Sequence, residues 1–260
     1  MFNDEIRQCL HDLKHVYHAT ALKASFEDEG INDDDLTDLV LLSGCVDLDV
    51  AVKIGGAEAN SDIIRCLRRG VTDIVAPLVE TRYAASKFIN AAQDRAASLG
   101  VAEINLHVNL ETKTAAANAL EIMKSHRAHL AGIVVGRSDL SKSMGLTKKD
   151  VDSSHVMGVV EGVLTLGKTH NLKTTMGGTI SSDSVSHISR LNRMGILDRF
   201  ETRAVVFNIQ TYDENMLTSA IDCALRYEQL LLGTRSVYHT VRSRELKTRI
   251  SAIEGRKDDR

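Results

Sequence analysis

The chain is predicted to fold as a parallel α/β sheet or barrel, on three observations. Strand-like and helix-like runs alternate through most of the 260 residues, the pattern of a parallel sheet with helical crossovers. Polar or glycine residues recur where those strands stop, at Glu27, Lys53, Glu80, Glu111, Asp139 and the Gly177–Gly178 pair. A barrel that carries its active site at the C-terminal ends of its strands requires this. The length also matches a single barrel, typically about 250 residues.

Residues 4–19 have helical spacing, with Ile6, Leu10, Leu13 and Val16 on one face. His11, His15 and His18 share another face. No cysteine or carboxylate pattern accompanies them, so that face reads as solvated or interfacial instead of a zinc site. ALKASFE (21–27) alternates as a strand and runs into Asp28, Glu29 and Gly30. NDDDLTDLVLLSG (32–44) has acids in its first turn and a glycine at its end, as a capped helix does. VDLDVAVKIGG (46–56) is the second strand, ANSDIIRCLRRG (59–70) a helix with a basic end, and TDIVAPLVE (72–80) the third strand. A helix over 83–100 follows, stopped by Gly100.

INLHVNLE (104–111) and AGIVVGRSD (131–139) are the fourth and fifth strands, with a helix between them. A helix over 148–170, the strand KTTMGG (173–178), a helix over 182–195 and the strand TRAVVFN (202–208) continue the alternation. The last core helix is DENMLTSAIDCALRYEQLLLG (213–233). This gives seven strands, each followed by a helix. An eighth is unassigned: either the N-terminal segment supplies a short irregular one or the barrel is incomplete. The domain is read as 1–233, with 234–260 as a charged helical tail, exposed or exchanged between subunits.

Composition excludes several classes. The chain is 43% hydrophobic with a net charge of −3. No long basic run precedes the tail, so nucleic acid is not an expected partner. No run approaches the ~18 apolar residues of a membrane helix, and the charged N-terminus lacks the apolar core of a secretion signal. A cytoplasmic protein is expected. Cys9, Cys45, Cys66 and Cys223 are far apart without CxxC spacing, and read as reduced thiols. Proline occurs once, at Pro77, and tryptophan not at all, which suits short connections. Neither GxGxxG after the first strand nor GxxxxGK[ST] is present, so dinucleotide and P-loop readings have no support.

The chemistry concentrates between Ile104 and Gly145. Glu111 and Asp139 close successive strands 28 residues apart, close to one βα repeat. Ends of successive strands are neighbours on one face of a parallel sheet or barrel. Two carboxylates there, with Asn109 and Ser138 beside them, can hold a hard cation with positions open for substrate. The competing role for each acid is helix capping or a first-turn charge. Lys53 adds positive charge where negative charge develops, or forms an ion pair with Glu80 or Glu27, or is a Schiff-base lysine. Glu27 or Glu29 is the candidate acid/base group, the alternative being N-capping. Glu80 positions a water or Lys53. Gly55–Gly56 and Gly177–Gly178 let backbone N–H groups approach a carboxylate or phosphate, or are simple turns. His107 reads as a hydrogen-bonded core histidine.

Three segments, KIGGAEANSDIIRCLRRGVTDIVAPLVET, VNLETKTAAAN and GIVVGRSDLSKSMG, together resemble the HpcH/HpaI aldolase and citrate lyase β-subunit family. That pattern has a strand ending in E-T or E-S and, one helix later, a strand ending in G-P-x-D-L. The resemblance spans about residues 21–210. It implies a TIM (β/α)8 barrel that makes or breaks carbon–carbon bonds beside a carboxylate, using Mg2+ or Mn2+. Glu111 and Asp139 would then be the metal ligands and Asn109 would line the pocket. Lys53 falls where the family usually has an arginine, and a point charge replaces a bidentate fork. Arg137 stands where proline is common, as a substrate anion clamp or an interface residue. The expected function is a divalent-metal-dependent carbon–carbon lyase or aldolase acting through the enolate of a pyruvate-like 2-oxo acid. A homo-oligomer is expected. The alternatives are a synthase joining an enolate to a sugar phosphate or acyl-CoA partner, and a barrel that binds a ligand without catalysis.

Overall fold

The computed structural model describes residues 4–209 and 212–258, with side chains described through 250. Eight strands close into one barrel in chain order: β1 (Ala19–Ser25), β2 (Asp49–Lys53), β3 (Asp73–Ala76), β4 (Asn105–Asn109), β5 (Gly132–Gly136), β6 (Lys173–Gly177), β7 (Arg199–Glu201) and β8 (Val205–Asn208). The helices are α1 (Asp4–His15), α2 (Phe26–Glu29), α3 (Asp33–Gly44), α4 (Asn60–Leu67), α5 (Arg82–Leu99), α6 (Lys113–His126), α7 (Arg137–Ser143), α8 (Ser154–Thr169), α9 (Val185–Arg193) and α10 (Glu214–Asp258). No helix among the described residues is long and apolar enough to cross a membrane.

The two-residue period of each strand divides the barrel. Leu22, Val52, Ile74, Val108, Ile133, Met176, Phe200 and Phe207 face outward into one apolar core shared with the helices. The alternate residues face the axis. There Ala21, Ala51 and Val206 form a small separate cluster, and a cavity of about 30 Å³ lies between them and Asp73, His107, Thr175 and Arg199. His107 is buried, its Nε2 3.3 Å from Asp73 Oδ1, and Asn105 donates to the other oxygen of Asp73 at 3.1 Å. Burial opposes the charge on Asp73, and these hydrogen bonds more than offset it, so its pKa is lowered. His107 is thus a hydrogen-bonded interior residue at the lower end of the barrel.

The closed barrel differs from the expected seven-strand count at one place. Arg199–Glu201 is a strand of three residues, too short to show a period, and it closes the ring. The segment read as the seventh strand is the eighth, and it begins at Val205. Only Thr202, Arg203 and Ala204 join the two. A parallel crossover needs a dozen or more residues, so the chain turns back and β8 pairs antiparallel with both β7 and β1. Thr202 tightens the turn: its N–H donates to Val205 O at 2.9 Å and its hydroxyl accepts from Val205 N at 3.2 Å. Phe200 and Phe207 lie opposite each other in register and stack at 4.8 Å between centroids.

Other boundaries moved for local reasons. The first strand stops at Ser25, whose hydroxyl caps the single turn α2 by accepting from Asp28 N. The third stops at Ala76, before Pro77 and before Leu78, which has φ 51°. The last core helix and the tail are one continuous helix, Glu214–Asp258, with no break at Gly233. Truncating Phe207 to Ala should cost about 3–5 kcal/mol of stability, read as a lowered urea midpoint at unchanged slope, because its ring holds the reversed strand to β7.

Candidate active site at the C-terminal ends of the strands

A cavity of about 370 Å³ opens at the C-terminal ends of the strands. Glu111 lies just past the end of β4 and is buried. Its Oε1 accepts from Leu78 N at 3.0 Å and its Oε2 from Asn109 Nδ2 at 3.0 Å. The left-handed backbone of Leu78, rare for a side chain other than glycine, belongs to the turn that makes the first of these bonds. Space for the carboxylate comes from Gly136 at the end of β5: a Cβ there would stand 2.5 Å from Glu111 Oε2. Burial raises the pKa of Glu111 against the field of Lys53, and the nearby charge of Asp139 raises it further.

Asp139 lines the same cavity. It stands in the first turn of α7, past the strand itself, half-exposed, with Lys142 Nζ 3.0 Å from Oδ1. Lys53, at the end of β2, is buried and ion-paired with Asp28. Burial works against its charge, but the Asp28 hydrogen bond and the fields of Glu111, Asp28 and Asp139 outweigh it, so its pKa is raised. The ion pair with Asp28 thus favours the charged form of Lys53, which disfavours the Schiff-base alternative. Ser138 also lines the cavity, its hydroxyl 2.8 Å from Thr179 Oγ1.

These residues fit a hard divalent cation. Glu111 and Asp139 supply two carboxylates at one cavity, and Asn109 Oδ1 is buried without a hydrogen-bond partner. An oxygen acceptor left unsatisfied beside a buried carboxylate is a natural ligand for such an ion. Among the described residues no group of three His, Cys, Asp or Glu is placed to hold a metal, so most coordination positions would fall to Asn109, water and substrate.

Several expected site residues lie elsewhere. Glu27 is exposed and outside the cavity, because the turn α2 directs Asp28 and Glu29 inward in its place. Glu80 is in the loop after β3, accepting from Thr112 Oγ1 at 2.5 Å. Gly55 and Gly56 do not line the cavity, and the Gly55 N–H is taken by Asp62 at 2.9 Å. Arg137 is neither an anion clamp nor an interface residue: it is fully buried. Its guanidinium is paired with Asp152 and donates to Gly177 O at 3.2 Å, Gly178 O at 3.0 Å and Ser184 Oγ at 3.0 Å. It thereby ties α7 to the loop after β6, where Gly178 and Thr179 both have positive φ.

The opposite wall was missed. Lys23 of β1 and Glu201 of β7 form an ion pair inside the cavity. Glu201 fits because a Cβ on Gly177 would approach its Oε1 to 2.9 Å. Thr202 and Arg203 from the β7–β8 turn, and Leu225 and Glu228 from α10, complete this wall. Burial raises the pKa of both Glu29 and Glu228, opposed by Arg203. The alternation of Lys23 with Leu22 and Ala24 is the one sequence signal that placed it on the inner face.

The HpcH/HpaI aldolase/citrate lyase family model matches residues 41–187. No sequence among curated proteins matches the chain. Solved structures share the fold at low identity. A HpcH/HpaI aldolase/citrate lyase family protein from Burkholderia cenocepacia is 16% identical, with a TM-score of 0.60, covering 90% of each chain. The HpcH/HpaI aldolase from Desulfitobacterium hafniense is 14% identical, with a TM-score of 0.61, over 76% of this chain and 81% of that one. A magnesium/glyoxylate complex of Haloferax volcanii malate synthase is 10% identical, with a TM-score of 0.59, over 77% of this chain and 64% of that one.

Two outcomes follow from this geometry. Arg137→Met should cost about 3 kcal/mol or more in urea unfolding, because it strands Asp152 and three oxygen acceptors. Glu111 holds its proton more tightly folded than unfolded. Its ionisation therefore costs stability, with no penalty below the unfolded pKa and the full penalty above the folded one. Metal-free Glu111→Gln protein should melt above the native protein at neutral pH, the gap closing as pH falls through the ordinary glutamate range. A native protein that melts higher at neutral pH overturns this.

Proposed function

Because the chain belongs to the HpcH/HpaI aldolase/citrate lyase family, we propose that it is a divalent-metal-dependent carbon–carbon lyase or aldolase acting through the enolate of a pyruvate-like 2-oxo acid. The observation that carries this reading is Glu111: a buried carboxylate beside an unpartnered Asn109 oxygen, in one cavity with Asp139 and Lys53. Glu111 and Asp139 would hold Mg2+ or Mn2+, with Asn109 Oδ1 as a third oxygen. When bound, the cation supplies Lewis-acid stabilisation of the negative charge that develops on the substrate oxygens.

The chain's own side chains do the rest. The cavity is lined by five cationic and six anionic side chains. With all of them ionised, a divalent ion turns the balance from net negative to net positive, which favours an anionic 2-oxo acid. Lys53, kept protonated by Asp28, adds a fixed charge near the developing enolate oxygen. The Ser138 hydroxyl lines the same cavity and would orient the substrate carboxylate. Magnesium accompanies glyoxylate in the Haloferax volcanii malate synthase structure, a small 2-oxo acid of the expected class.

A second reading, a synthase that condenses the enolate with another reactant, is favoured by the polar wall of Lys23, Glu201, Thr202 and Arg203. It faces the Glu111 side across the ring, since β1 and β8 lie opposite β4 and β5. Screening phosphorylated aldehydes and acyl-CoA thioesters against simple retro-aldol substrates separates the two readings.

The test common to both is proton exchange at the pyruvate methyl in D2O, followed by NMR with Mg2+ or Mn2+. Exchange should vanish with chelator and fall at least about 10²-fold in Glu111→Gln and Asp139→Asn. Exchange indifferent to chelator and to both substitutions would sink the metal-enolate reading. Absence of any Mn2+ binding would favour a ligand-binding barrel.

A further inference from the structure

Two cysteines that lie 214 residues apart in the chain meet on the outside of the barrel. Cys9 is on α1 and Cys223 on α10, and these two helices pack together. The Cys223 thiol lies 3.8 Å from the carbonyl oxygen of Cys9. Both are partly buried. The other cysteines are excluded from this contact: Cys66 is fully buried on the inner face of α4, and Cys45 is exposed at the end of α3. With the helices packed together and the Cys223 thiol already against the backbone of Cys9, a side-chain rotation and little backbone movement bring the pair to disulfide geometry.

We infer that Cys9 and Cys223 form a dithiol site which a small-molecule disulfide converts into an intrachain disulfide, tying the first helix of the chain to the last. The exchange balances in two steps. The Cys9 thiolate attacks one sulfur of the small disulfide and expels one thiol, leaving a mixed disulfide on Cys9. Cys223 then gives up its proton and attacks the Cys9 sulfur, expelling the second thiol. Two protein thiols are oxidised, one small disulfide is reduced to two thiols, and each proton passes to a departing thiolate.

Cys9 is the entry point. Burial raises both thiols, but Arg226 works against the rise at Cys9, whereas burial pushes Cys223 up to about 12. The order of steps follows, with Cys9 reacting first and Cys223 closing the link from beside it. The link also reaches the cavity. Leu225 and Glu228, within two turns of Cys223 on α10, line its wall, so fixing α10 to α1 fixes that wall.

The test uses the native chain incubated with oxidised glutathione, then digested without reductant and read by mass spectrometry. A Cys9–Cys223 peptide pair should appear and revert with dithiothreitol. Cys45, being exposed, should carry glutathione instead. The linked protein should melt higher than the reduced protein by roughly 5–10 °C, as closure of a long loop gives. Cys9→Ser should abolish both the link and the shift. Glutathione retained on Cys9 without closure, or Cys9 and Cys223 both unreacted while Cys45 is fully modified, would overturn the inference.

Discussion

The mouth of the barrel depends on two missing side chains. Gly136 and Gly177 end neighbouring strands on the inner face, and each leaves room for a glutamate from the adjacent strand to lie across it: Glu111 over Gly136 and Glu201 over Gly177. Packed interiors leave few voids, so a charged side chain enters a barrel only where another residue gives up its volume. The two vacancies have different consequences. Glu111 is held by backbone and amide N–H groups and keeps lone pairs free. Glu201 is neutralised by Lys23. A buried ion pair rarely adds stability over apolar packing, so the Lys23–Glu201 pair is better explained by the cavity it lines than by the fold it sits in.

The loop after β6 is held from behind. Arg137 follows Gly136 directly, yet its side chain points away from the cavity into a ring of carbonyls at Gly177 and Gly178 and the Asp152 carboxylate. One glycine–arginine step thus clears the ground for Glu111 on one side and braces the neighbouring strand end on the other. Asp139, two residues further on, takes its orientation from the helix that Arg137 anchors.

What the sequence showed and what it hid divide along a physical line. Glu111, Asp139, Asn109 and Lys53 were legible because consecutive βα units place their strand ends side by side, so chain spacing maps onto space. Glu27 was misplaced because Ser25 starts a helical turn there, and a helix rotates each successive side chain where a strand alternates them. Glu80 was misplaced because the strand ends at Ala76. Lys23 and Glu201 lie 178 residues apart and meet only through ring closure by a strand too short to have a period. The partners of Arg137 come from two connections, the one before α8 and the one between β6 and α9, and no local pattern announces them.

The reversed final strand alters where the chain goes next. In an all-parallel barrel the closing helix starts at the catalytic rim and descends the outer wall. Here β8 runs downward, so α10 starts at the opposite end and climbs. Its first turns lie against α1, the turns that follow bring Leu225 and Glu228 to the rim, and Arg235 meets Glu29 and Asp35 above it. An ascending buttress of this kind overshoots the barrel, and each further turn extends the molecule on the side where the cavity opens.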